Sequence, residues 1–66
     1  MHNHLVTARP INGGQQKFWT GAMIESWPVY LSDSDAAARM KREDARRYAR
    51  AFTERLPGYL WTVEAW

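Results

Sequence analysis

The sequence predicts an α+β fold, a three-stranded antiparallel sheet with chain order β-β-α-β and spatial order 2-1-3, packed against one main helix at about residues 42–56. Three observations predict it. Residues 59–65, YLWTVEA, alternate in the manner of a strand, with Tyr59, Trp61, Val63 and Ala65 on one face and Leu60, Thr62 and Glu64 on the other. Ala45, Ala49, Phe52 and Leu56 share one face of a helical wheel, with Tyr48 at its edge. Asn12-Gly13 sits between two β-friendly stretches, HLVTAR and QQKFWTG, and marks a hairpin.

Each element follows in order. The first two strands are expected at about 3–9 and 15–20. A type I′ turn needs positive φ at both central residues, which Asn-Gly supplies, and Gly14 adds a bulge or a wider loop. Pro10 has no N–H and suits a strand end. Gly21 ends the second strand. Residues 21–35 follow an irregular path, in which Pro28 pushes Trp27 toward extended geometry and VYL at 29–31 is compatible with a short extra strand. Ser32 and Asp35 have the spacing of a capping box. Projecting the apolar stripe backward puts Lys41 inside it and Met40 nearly opposite. The chain is therefore expected to turn at 34–39, break near Met40-Lys41, and start the main helix at Arg42. Glu43 and Asp44 then favour the positive end of the helix dipole, and Pro57-Gly58 stops the helix.

At 66 residues the chain is one small domain, 1–66. A core of this size supplies roughly 3–5 kcal/mol. There is no cysteine, so disulfides are excluded and a zinc finger is disfavoured; nine aromatic residues, four Trp, three Tyr and two Phe, provide the bulk instead. Trp19 and Trp61 are assigned to the core. Nine rings do not fit under one helix, so several are expected on the sheet's second face. No apolar run reaches the length of a membrane span, and MHNHLVTARP lacks the charge and apolar stretch of a signal peptide. A complete, cytoplasmic gene product is expected. The net charge of +2 argues against an acidic nucleic-acid mimic.

Six of the nine basic residues lie in ARMKREDARRYARAF: Arg39, Lys41, Arg42, Arg46, Arg47 and Arg50. On the wheel Arg42, Arg46 and Arg50 fall within about 80° of one another, and Arg39 joins them if the preceding turn is helical. Such a flank suits phosphates or a carboxylate-rich surface, although any surface helix also needs a polar face. Arg47 has Glu43 as an i,i+4 partner, and Glu54 can pair with Arg50. Trp27, before Pro28, and Trp66, on the non-helix face of the last strand by alternation, are candidates for partner contact, because Trp is enriched at interface hot spots. The partner-binding set is thus Arg39, Arg42, Arg46, Arg50, Trp27 and Trp66. His2 and His4 have no further ligands at metal spacing and belong to a frayed terminus. No nucleophile elbow, phosphate loop or paired catalytic carboxylate is present, so no enzyme, metal or cofactor is expected.

The hairpin ending in FWTG, the segment DAAARMKREDA and the closing strand WTVEAW resemble small uncharacterised phage and prophage proteins. That population includes anti-CRISPR and other anti-defence proteins. Lys41 stands where such helices often carry a Ser or Thr cap, and this chain is basic where many of those proteins are acidic. The resemblance implies a non-enzymatic protein that binds and inhibits a host protein or protein–nucleic-acid complex in the bacterial cytoplasm. A small nucleic-acid-binding module using the same helix is the rival, and a structural homodimer is the third reading.

Overall fold

A computed structural model describes residues 2–65. The elements are β1 (His4–Pro10), β2 (Lys17–Ile24), β3 (Trp27–Leu31), a single 3-10 turn at Ser34–Ala36, α1 (Arg42–Arg55) and β4 (Tyr59–Ala65). The sheet is antiparallel with the order β3-β2-β1-β4. The expected neighbours, second strand beside first and first beside last, are present. The sheet nevertheless has four strands rather than three, because Gly21 does not end β2.

The chain passes through Gly21 at φ 87° and continues to Ile24. Between Trp19↔Tyr30 and Met23↔Pro28, β2 advances four residues while β3 advances two. Thr20 patches the irregularity: its Oγ1 donates to Val29 O at 2.9 Å and accepts from Ala22 N at 3.3 Å. The Trp19 indole donates to Ala22 O at 3.0 Å. The two-residue turn is therefore Glu25-Ser26, with φ 51° and 70°, between the paired Ile24 and Trp27. Positive φ at two residues with Cβ atoms is uncommon, and this hides the turn from a search for Asn-Gly. Trp27 lies in β3, not in an irregular loop. Asn12-Gly13, in contrast, belongs to a wider connection over residues 11–16, closed by Gly13 N donating to Pro10 O at 3.2 Å.

The segment before α1 also differs from expectation. Asp33, not Ser32, caps the 3-10 turn, its Oδ1 accepting from Asp35 N at 2.9 Å. The turn covers Ser34–Ala36 only, and Ala37 is already extended. Residues 38–40 then enter the sheet where β1 and β2 diverge. Ala38 N donates to Trp19 O at 3.0 Å, and Met40 and His4 exchange both backbone bonds, at 2.8 and 3.0 Å. His4 is held in β1 rather than frayed. This wedge explains the break in helical phase at Met40-Lys41.

Helix α1 starts at Arg42, as its spacing predicts. Lys41 occupies the N-cap without a side-chain bond, and Glu43 and Asp44 lie in the first turn. The helix closes through Leu56 N donating to Phe52 O at 2.7 Å. Tyr59 N reaches Leu56 O at 3.3 Å and the Trp61 indole donates to the same oxygen at 3.2 Å, so Pro57-Gly58 folds the chain straight into β4.

Ala45, Ala49 and Phe52 are buried against Val6, Ala8, Trp19 and Trp61. Phe52 sits between the two indoles, with ring centroids 5.0 Å from each. Tyr48 lies 4.6 Å from Trp19, and Tyr30 and Tyr59 pack at the margin. Six of the nine rings, Trp19, Tyr30, Tyr48, Phe52, Tyr59 and Trp61, thus gather on the helix side, with β3 contributing Tyr30. By alternation Leu5, Thr7 and Phe18 lie on the other face; all three are buried. There Thr7 and Thr62 hydroxyls meet at 2.6 Å.

A candidate arginine-lined groove beside a free sheet edge

Arginines 42, 46 and 50 recur every fourth residue along α1, so they form one row at about 6 Å intervals along the axis. The core stripe fixes which way that row faces. With Ala45, Ala49 and Phe52 turned onto β1 and β4, the row projects over β4. An open groove results, lined by Arg42, Arg46 and Arg50 on one wall and Trp61, Val63 and Ala65 on the other, with Ala49 between. His4 joins the lining at one end; its Nδ1 is buried without a hydrogen-bond partner among the described residues.

All three arginines are exposed, and none forms an ion pair among the described residues. The expected Arg50–Glu54 pair does not form. Arg47 lies off the row and pairs with Asp44 at 3.7 Å, an i,i+3 contact, instead of with Glu43. Of the helix's acidic residues, Asp44 turns toward Arg47, Glu43 lies beside Arg46 and Arg50 without an ion pair to either, and Glu54 forms none among the described residues. No ion pair neutralises the row among the described residues.

The remaining candidates are placed elsewhere. Arg39 is exposed but precedes the helix in extended chain, so it does not extend the row. Trp27 sits in β3, at the opposite edge of the sheet from β4, with its ring under the Arg55 guanidinium at 5.7 Å. It is half exposed and does not line the arginine groove. Trp66 lies outside the described residues.

Sequence reasoning missed the backbone of β4. His4 N–H and C=O both point to Met40, away from β4. By alternation Leu5, Thr7 and Arg9 point toward β4 and bond their partners Glu64, Thr62 and Leu60. Trp61, Val63 and Ala65 therefore direct their N–H and C=O groups outward, along the groove. Tyr59 N–H, which bonds Leu56 O on that outer side, obeys the same alternation. The only hint in sequence was the parity of the last strand, which means nothing until its neighbour is known.

Other chemistry is sparse. Tyr30 donates to the Tyr59 hydroxyl at 3.0 Å, and this bond, followed by burial and the neighbouring phenol's charge, pushes the Tyr30 pKa up to about 12. Among the described residues no group of three or more His, Asp or Glu comes together to hold a metal ion, and no helix is long and apolar enough to cross a membrane. Compared with known proteins, the chain matches no family model, no curated sequence and no solved structure.

Proposed function

We propose that this chain is a non-enzymatic binding protein that engages a carboxylate-rich surface of another protein through Arg42, Arg46 and Arg50. The observation that carries the reading is the row of three exposed guanidinium groups, without an ion pair among the described residues, beside an open groove. Guanidinium groups make short, bidentate bonds to carboxylates, and an unpaired row of them supplies both attraction and register. The resemblance of FWTG, DAAARMKREDA and WTVEAW to small phage proteins suggests inhibition of a host defence complex, of the anti-CRISPR kind, in the cytoplasm of a bacterial host as the concrete case.

The same guanidinium row also suits phosphates. Binding of single-stranded nucleic acid usually adds exposed rings for stacking. The groove's only indole among the described residues, Trp61, is buried, and the exposed Trp27 is across the sheet. These placements favour a protein partner.

The test is charge reversal. Arg46→Glu with Arg50→Glu should abolish capture of the host complex while leaving Tm nearly unchanged, since both side chains are in solvent. Undiminished capture overturns the reading. A mobility shift with DNA or RNA that weakens steeply with salt would transfer the site to nucleic acid.

A further inference from the structure

Resting on that reading, we infer that the partner supplies an extended acidic segment, which adds to the sheet as a fifth strand, antiparallel to β4, with its alternate carboxylates facing Arg42, Arg46 and Arg50. Three features of the fold converge on this mode. The first is the asymmetry of the two sheet edges. β3 is five residues long, carries Pro28 and opposes an irregular stretch of β2, features that blunt an edge against pairing. β4 has no Pro and no Lys, and keeps unbroken register with β1 from Tyr59 to Ala65. Its outward N–H and C=O groups at Trp61 and Val63 have no backbone partner among the described residues.

The second is a match of periods. Residues four apart on a helix rise about 6.0 Å, while alternate residues of a strand rise about 6.6 Å. A strand laid along β4 therefore presents every second side chain to one arginine of the row. In an antiparallel pair the residue bonded to Val63 carries its side chain on Val63's face, which is the helix face. The carboxylates and the amides that bond β4 thus belong to the same alternate residues.

The third feature is charge, which chooses among occupants. A second copy pairing through its own β4 would place both helices on the same side of a continuous sheet. Two arginine rows would then face each other without counter-charge. An acidic strand meets the opposite situation, and strand addition is an established route by which backbone bonds give affinity and alternate side chains give specificity.

The probe is a capped peptide of about eight residues with Glu at every second position among Val and Thr, long enough to span the outward part of β4. Its control has the same composition with the glutamates contiguous. On titration into the labelled protein, the alternating peptide should bind at least about tenfold more tightly than the control, and the Trp61 and Val63 amide protons should gain protection from exchange. N-methylation of the Glu amides should abolish binding, whereas methylation of the intervening amides should be tolerated. Equal binding of the two peptides with unprotected Trp61 and Val63 amides overturns strand addition and leaves carboxylate recognition by the arginines standing. Peptide binding unchanged by Arg46→Glu with Arg50→Glu overturns both. Displacement of the peptide by a dimer formed on concentration, or tighter binding of a short oligonucleotide at the same amides, overturns it in favour of those occupants.

Discussion

Replacing Gly21 by Ala tests the account of how β2 passes beyond its expected end. Gly21 holds φ 87°, and a Cβ built there would lie 2.8 Å from the Cβ of Ala38. Two costs arise. Left-handed backbone at a residue with a Cβ costs about 1–2 kcal/mol. The contact is far inside the ordinary carbon–carbon separation of roughly 3.5–4.0 Å. Ala38 cannot retreat freely, because its N–H is bonded to Trp19 O at 3.0 Å. Overpacking of this sort costs about 1–3 kcal/mol. The sum, about 2–5 kcal/mol, is comparable to the roughly 3–5 kcal/mol available to a domain of this size. Urea unfolding followed by tryptophan fluorescence should therefore find Gly21→Ala barely folded. Adding Ala38→Gly removes the clash but not the backbone strain, so the double-mutant cycle should return a coupling of about 1–3 kcal/mol and leave the rest of the loss in place. A Gly21→Ala protein within about 0.5 kcal/mol of the parent would refute the wedge between β1 and β2. A zero coupling would refute the contact alone.

Further outcomes are expected on the same grounds. Glu25→Asn with Ser26→Gly supplies residues suited to the type I′ conformation, and should raise stability by about 1–2 kcal/mol in urea unfolding. Lys41→Ser places a hydroxyl at the uncapped start of α1 and removes a cation from its positive end, and should add about 1 kcal/mol to stability by thermal denaturation. The Tyr30 phenol keeps its proton to about pH 12 in the folded chain, against 10.0 for a free phenol. Its stabilising contribution is thus complete below pH 10.0 and is lost as the pH rises toward 12. In Tyr59→Phe, which removes the phenol that raises it, Tyr30 should titrate nearer its ordinary value, as followed by carbon NMR of the ring.

The periodic elements are legible in the chain because their cause is local. Ala45, Ala49 and Phe52 are buried as the wheel places them, and Tyr59, Trp61 and Val63 turn to the core as alternation places them. Helix start at Arg42 follows from a phase break that any straight helix would violate. The row Arg42, Arg46 and Arg50 is equally a property of spacing. Where the reading failed, a weak local signal was overridden by packing. Gly21 reads as a terminator, yet its freedom at positive φ lets β2 continue and a fourth strand form. Glu25-Ser26 carries no turn signature, and Asn12-Gly13 carries one that is spent on a longer connection. Arg39 follows a helical count until residues 38–40 are drawn into the sheet by Trp19 and His4.

By itself, then, the sequence determined the single helix, its buried stripe, its arginine row and the extended strands that flank it, since each follows from the repeat of one backbone conformation. Only the tertiary structure decided that the row overlooks β4, that Trp27 stands at the far edge, and that Trp61 and Val63 hold their amides outward. Those facts depend on which strand lies beside which and on which residue pair is hydrogen-bonded. They are relations between segments distant in the chain, and no local period encodes them.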